Sequence, residues 1–289
     1  MSTQVPPLSK ASYDLSGRTF LVTGGTQGLG LEIARHLKQL GAKGLILASR
    51  SSDRGQKACD ELDDDTCTCV HVVTDLGKAE EASSLVARGV TRLAAAAKTN
   101  GGETAVLSGV VNCAAITARG NLFTTTADGF DAQMALNVRA PFLVTQAAAK
   151  HMLEKGVTNG SIVNVCSTAS YGGAPFIMAY SAAKSALVTL TKNNAAELAP
   201  KGIRVNAVNM GWCLTENEDK LQKAQTGDEA WAERADRGVP LGRILRPADV
   251  AVTVAFLLSD ASVMMSGSAV ELHPDFPHGM LSLLDEDVR

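Results

Sequence analysis

Tyr180 and Lys184 stand four residues apart in the stretch YSAAK, a spacing that puts a phenol and an amine side by side on one helix face. An ammonium beside a phenol favours the phenolate, so such a pair is a usable proton donor or acceptor near neutrality. The spacing alone is common, and in isolation it marks an exposed tyrosine and a solvated lysine. Ser167 changes the balance, because it ends the apolar run SIVNVCS ahead of Tyr180. A hydroxyl there can bond a carbonyl or alcohol oxygen, and Thr168 and Ser170 offer the same group nearby. Asn137, in MALNVRAPF, is a further candidate: asparagine is mildly unfavourable inside a helix, so it needs a reason, of which a simple distortion is one.

A second stretch with chemistry in it is FLVTGGTQGLGLEIARHL, a glycine-rich turn between an apolar strand and an amphipathic helix. Glycines let the main chain approach a pyrophosphate, whose charge the helix N-terminus then holds. Gly24, Gly28 and Gly30 depart in spacing from the GxGxxG of ordinary Rossmann dehydrogenases. TGGTQGLG, with Thr26, Gln27 and Leu29 between its glycines, resembles instead the TGxxxGxG turn of the short-chain dehydrogenase/reductase family. The thirteen residues from Ser167 to Tyr180 match the family's serine and YxxxK motif, and the resemblance runs from about Arg18 to His273. It implies a single-domain Rossmann-type enzyme with a catalytic tetrad of Asn137, Ser167, Tyr180 and Lys184. In that scheme Ser167 bonds the substrate oxygen, Tyr180 exchanges the proton and Lys184 binds the nicotinamide ribose. The Asn137 backbone carbonyl holds a water linked to Lys184.

The cofactor-lining residues follow in the same way. The second strand, in LILASRSSDRG, closes with Ser49 and Arg50. No carboxylate stands there to favour a free ribose 2'-hydroxyl, and Arg50 is a planar donor suited to a 2'-phosphate, with Arg54 in reach to assist. NADP is therefore expected ahead of NAD, although Gln27 stands where some NADP-using relatives carry a basic residue. By resemblance, Asp75 bonds the adenine amino group with Leu76 beside the ring, and Asn112 and Ala114 of NCAA make backbone and amide contacts. NMGWCLT closes over the nicotinamide, with Met210 and Gly211 where relatives have Pro-Gly, and with Cys213 and Thr215 near the carboxamide and phosphate. Without the family these stretches are strand ends and turns, and no base beside Cys213 makes it a reactive thiol.

The elements that must position these residues alternate along the chain. TFLVTG, GLILAS, CVHVVTD, LSGVVNCAA, GSIVNVCS, IRVNAVN and SGSAVELH read as strands. Between them lie helical patterns such as GLEIARHLKQLGA, RGQKACDEL, the long DGFDAQMALNVRAPFLVTQAAAKHML and the stretch that carries Tyr180. Such alternation predicts an α/β fold, one doubly wound parallel sheet with helices on both faces, over 15–289 after a flexible leader at 1–14. Thr215 to Val239 breaks the pattern with a dense run of charge around Leu221 and Trp231, and reads as a helical lid. Its Asp219, Asp228, Glu229, Lys220, Lys223 and Arg234 would suit hydroxyls of a sugar or polyol, or simply solvate a surface helix.

Composition bounds the rest. With 289 residues, 45% of them apolar, and a net charge of -3, the chain can bury a full core and shows no basic face for nucleic acid or membrane. Six cysteines without paired spacing and five histidines without ligand spacing predict neither disulfides nor a metal, and a cytoplasmic setting. The expected function is interconversion of a secondary alcohol and a ketone on a sugar, polyol or small ketone, in a homotetramer or dimer. The rivals are a carrier-bound ketoacyl reductase, for which Arg119 and Arg139 would form a basic entrance, and a non-catalytic NADP-binding sensor.

Overall fold

A computed structural model describes residues 13–99 and 106–274, so most of the expected leader and of the tail after His273 lies outside the described residues. The seven apolar runs form seven strands: β1 (Thr19–Thr23), β2 (Gly44–Ser49), β3 (Thr68–Val73), β4 (Gly109–Asn112), β5 (Gly160–Ser167), β6 (Ile203–Met210) and β7 (Ala269–Leu272). All pair in parallel in one sheet, in the order β3-β2-β1-β4-β5-β6-β7. The inner strands are buried almost from end to end, the polar Asn164, Arg204, Asn206 and Asn209 included, because helices cover both of their faces.

Those helices are α1 (Gly28–Gln39), α2 (Ser52–Leu62), α3 (Ala79–Thr99), α4 (Ala127–Met134), α5 (Ala140–Glu154), α6 (Met178–Leu198), α7 (Glu216–Thr226), α8 (Trp231–Arg237) and α9 (Pro247–Leu258). Strand side chains alternate between two cores. Phe20, Val22, Leu45 and Leu47 pack with α1, α2 and α9 on one face. Leu21, Ile46, Val70 and Val110 pack with α3, α5 and α6 on the other. α3 is not among the helices named from the sequence, although its buried Ala82, Leu85, Val86 and Leu93 recur at helical spacing. The long helix expected through Asn137 is continuous from α4 to α5, with a π-turn over Ala135–Arg139 where its hydrogen-bond register shifts.

The order of the strands places the site. The chain reverses its direction of travel across the sheet between β1 and β4, and a crevice opens there beyond their C-terminal ends. The glycine turn leaves β1 at that point, and Asn112 ends β4 beside it, with Thr23 and Asn112 paired in register. Ser167 ends β5 two strands from β1, opposite Met210 of β6.

Candidate active site

At the crevice the backbone is stripped of side chains. Gly24 has φ +68°, and a Cβ there would lie 3.0 Å from the Ala114 Cα; one on Gly30 would lie 2.3 Å from the Gly24 carbonyl oxygen. The glycines thus let two turns and a helix end meet, as the spacing implies. Gln27 stands at the N-cap of α1 in extended conformation without a side-chain cap, and the first turn holds no acid. The leading amides of α1 are left open to an anion. Thr26 is buried beneath the turn. Thr23, absent from the residues expected to matter, ties the two turns together: its Oγ1 accepts from the N–H of Cys113 at 3.0 Å and of Ala114 at 3.1 Å. A hydroxyl ending the first strand was the available signal. Asn112 donates from Nδ2 to Asn164 Oδ1 at 2.8 Å, while its own Oδ1 is buried with no donor.

The end of β2 carries the residues expected near the adenosine. Ser49 Oγ and His71 Nε2 are hydrogen-bonded at 3.0 Å, and burial holds the imidazole below its usual range. Arg50 is exposed at the strand's end. From α2, Arg54 donates to Gln27 Oε1 at 2.7 Å. A guanidinium therefore stands beside the residue where a base is missing. Asp75 Oδ1 accepts from the Gly77 N–H at 3.0 Å, fixing the turn after β3, and Leu76 is buried against α3 and α5. Arg139 donates to the Gly77 carbonyl at 2.5 Å, which places it by this turn and apart from Arg119.

The tetrad residues are brought to one wall. α6 carries Tyr180 and Lys184 on adjacent turns, with the Lys184 Nζ 5.6 Å from the centre of the Tyr180 ring. Lys184 is 3% exposed and gives one N–H to the Val165 carbonyl at 2.7 Å, two residues before Ser167 on β5. Its other two donors find no acceptor among the described residues. Ser167 caps a short 3-10 turn, its Oγ accepting from the Ala169 N–H at 3.1 Å. Two α6 hydroxyls hold that turn: Ser181 donates to the Ala169 carbonyl at 2.5 Å and Ser185 to the Ser170 carbonyl at 2.6 Å.

Asn137 is fully buried within the π-turn, which packs against α6. Its side chain clamps the loop after β4, accepting from the Ile116 N–H at 3.1 Å and donating to the Ile116 carbonyl at 2.9 Å and to Gln133 Oε1 at 2.8 Å. The distortion and a partner both account for the asparagine. Pro141 lies four residues further on and has no N–H, so the Asn137 carbonyl lacks its α-helical donor. That proline, and the buried Gln133 one turn earlier, are signals the sequence carried.

Beyond β6 the segment expected to form a helical lid folds as α7 and α8. Gly211 donates its N–H to the Leu272 carbonyl at 2.9 Å, and Cys213 forms a bridge with Leu245 through its neighbours' backbones. The Cys213 thiol faces the core, and burial pushes it up to about 12. Only its backbone is left for the cleft. Thr215 caps α7, accepting from the Glu218 N–H at 3.1 Å. The lid's charges pair with one another: Lys223 with Asp219 at 3.1 Å and Glu229 at 3.2 Å, Arg234 with Asp228, Lys220 with Glu216. Their charges are thus met within the segment itself.

The residues present fit a dinucleotide: an uncapped helix start, a cradle that side chains would fill, and a buried ammonium with donors to spare. Among the described residues no group of three or more His, Cys, Asp or Glu could hold a metal ion, and no helix is long and apolar enough to cross a membrane.

Comparison with known proteins agrees with this geometry. Residues 24–272 match the family described as enoyl-(acyl carrier protein) reductase. The 2-(S)-hydroxypropyl-CoM dehydrogenase 3 of Xanthobacter autotrophicus is 34% identical over 89% of this chain and 96% of its own. A gluconate 5-dehydrogenase from Burkholderia cenocepacia, solved with NADP and tartrate, aligns at a TM-score of 0.77 with 28% identity, over 90% of this chain and 95% of its own. A 3-ketoacyl-(acyl-carrier-protein) reductase from Brucella melitensis, solved with NADH, aligns at 0.76 with 27% identity, over 90% and 98%. The glycine turn and the sheet that carries it thus belong, with the rest of this chain, to the short-chain dehydrogenase/reductase family of nicotinamide-dependent oxidoreductases.

Proposed function

We propose that the protein is an NADP-preferring oxidoreductase that interconverts a secondary alcohol and a small ketone. The observation that carries this reading is the buried Lys184, tied to β5 beside Ser167 and set against the Tyr180 ring. In the reductive direction Ser167 donates to the carbonyl oxygen and Tyr180 gives it the proton. Lys184 keeps two donors for ribose hydroxyls and sets a positive charge beside the Tyr180 ring as the proton leaves. The Asn137 carbonyl, without a helical donor, holds the water that returns the proton through Lys184. A bound nicotinamide supplies or accepts the hydride, and proximity of the two reactants contributes much of the rate.

Gly24, Gly28, Leu29 and Gly30 would hold the pyrophosphate, with Asn112, Ala114, Asp75 and Leu76 along the adenosine side and Gly211, Cys213 and Thr215 beyond the nicotinamide. The preference for NADP rests on Arg50 and on Arg54 at Gln27, two guanidinium groups with no acid expected beside them at a ribose 2'-phosphate. The internal pairing of the lid removes the main support for a sugar or polyol. A ketoacyl substrate is favoured by likeness to the Brucella reductase, but only Arg119 of the expected basic entrance stands by the tetrad. The non-catalytic reading finds no support in an intact tetrad.

An assembly of two or four copies fits an open depression of about 540 Å³ between α4, α5 and α6, lined by Met134, Val138, Phe142 and Leu190 with Asp131 and Arg139. A monomer in light scattering would remove that part of the reading. For the activity, initial rates with NADPH and NADH over a panel of ketones and alcohols provide the test. We expect NADPH to be preferred, and Arg50→Ala or Arg54→Ala to raise its KM about tenfold while leaving NADH unchanged. An equal or better rate with NADH would overturn the preference, and no turnover in either direction would overturn the reaction.

A further inference from the structure

Arg119 sits on the loop after β4, and that loop is pinned on both sides of it. Asn137 clamps both backbone groups of Ile116, and Gln133 Nε2 donates to the Ala118 carbonyl at 2.9 Å. Gly120 makes two backbone bonds with the segment that leads into α6. Its N–H donates to the Phe176 carbonyl at 2.9 Å, and its carbonyl accepts from the Met178 N–H at 3.1 Å. The guanidinium carbon of Arg119 lies 5.6 Å from the centre of the Phe176 ring, in cation–π range. Phe176 and Tyr180 in turn pack on the same small cluster of Ala169, Ala174 and Ile177. Through Phe176 the cation is joined to the cluster that holds Tyr180.

What holds it there is backbone and ring, with no counter-charge. Arg119 is exposed and makes no ion pair among the described residues. Other cations have their own places: Lys184 is buried, with one N–H on the Val165 carbonyl and the rest kept for the cofactor ribose, Lys220, Lys223 and Arg234 are paired within the lid, and Arg139 serves the Gly77 turn. A guanidinium on a pinned loop, set against a ring with its fork of donors unused, is suited to planar recognition of an anion. We propose that Arg119 is a specificity-determining residue that orients a substrate carrying a carboxylate or similar anionic group a few carbons from the reacting carbon. This rests on the alcohol–ketone reading above. The ring of Phe176 spaces the charge from Tyr180, so the anion and the reacting oxygen are separated along the substrate.

The test compares a series of methyl-ketone carboxylates of increasing length, beginning with levulinate, each beside its neutral methyl ester, with acetoacetyl coenzyme A as a separate arm. We expect wild type to favour one or more acids over their esters by about tenfold in kcat/KM. Arg119→Gln should erase that preference by raising KM for the acid with little change in kcat, leaving the esters as they were. Arg119→Lys should restore part of it, and salt at about 0.5 M should weaken it in wild type alone. If acetoacetyl coenzyme A alone shows the Arg119 dependence, the small-acid form of the proposal is overturned in favour of a coenzyme-borne anion. Acid and ester handled alike, or both impaired alike by Arg119→Gln, would sink the inference while leaving the reaction class intact. Should no ketone turn over, the reaction class itself falls. Calorimetric binding of levulinate to the NADP-saturated protein then decides the anion site, which stands if wild type binds and Arg119→Gln does not.

Discussion

The cleft has two walls, and different forces hold them. On the tetrad side, the side chains are fixed to backbone: Lys184 to the Val165 carbonyl, Asn137 to both groups of Ile116, Ser181 and Ser185 to the carbonyls of the turn after Ser167. No ion pair takes part. On the lid side, the fixings are carboxylates. Asp219 accepts from Trp231 Nε1 at 2.9 Å, Glu218 accepts from Trp212 Nε1 at 2.8 Å, and Asp236 accepts from Arg246. The two indole rings stack with centres 5.2 Å apart over a small core of Val239 and Ile244 that is separate from the two sheet cores. Bonds to backbone keep their geometry across pH and salt, whereas bonds to partly exposed carboxylates do not. The tetrad wall is thus held without charge pairs, as the proposed proton transfer requires, and the lid segment is expected to loosen without disturbing it.

The sharpest way to break this comparison is at Tyr180. Tyr180→Phe removes a hydroxyl and leaves the ring that packs beside Phe176. We expect kcat to fall about 100-fold to 10,000-fold with NADPH affinity and thermal stability near wild type, measured by steady-state rates, fluorescence titration and melting. A variant that keeps most of its rate would remove Tyr180 from the chemistry, and the tetrad wall would then be a packing feature.

A smaller effect, confined to the other wall, is expected from Trp231→Ala. Trp231 is 3% exposed and its loss removes about 3 kcal/mol of local burial. Because the lid has its own core, limited proteolysis should cut between 216 and 239 while far-ultraviolet dichroism and NADPH binding persist. Simultaneous loss of sheet signal would show that lid and sheet fold as one and would erase the distinction.

The two walls also differ in how far the sequence betrays them. Strands are local events, and β2 and β5 have the bounds that their apolar runs imply. The tetrad wall was half legible: Tyr180, Lys184 and Ser167 announce themselves by spacing, but the π-turn around Asn137 depends on where α4 packs. Pro141 and Gln133 were its local signs. Partner choice is tertiary, and spacing alone does not reveal it. Arg54 reaches Gln27 across 27 residues, and Cys59 and Cys69 come within 3.7 Å across the groove between α2 and β3. The lid's charges look available in sequence because their partners, such as Lys223 for Asp219 and Glu229, are themselves charges in the same run. The pairing of Arg119 with Phe176 and of Arg139 with Gly77 separates two cations that sequence position alone would group.

The mildest test uses pH. The chain's two tryptophans, Trp212 and Trp231, both lie in the lid region, so intrinsic fluorescence reports on that wall alone. The bond from Trp231, and next the Lys223 ammonium, hold the Asp219 carboxyl below its ordinary value, and Arg246 does the same for Asp236. A carboxyl whose folded value is depressed contributes stability that is fully present above its unfolded value, about 3.9, and is lost as pH falls through the folded one. The tryptophan emission should therefore be flat from neutrality to about pH 4 and shift to the red below it, with the shift starting earlier in Asp219→Asn, which keeps an acceptor but loses the charge that draws Lys223. High salt should reproduce part of the change at neutral pH by screening the same pairs. Backbone dichroism should stay constant over the first part of the acid shift, since no carboxylate holds the tetrad wall. If fluorescence and dichroism move together instead, the carboxylates of the lid are supporting the sheet as well, and the two walls are one structure with one stability.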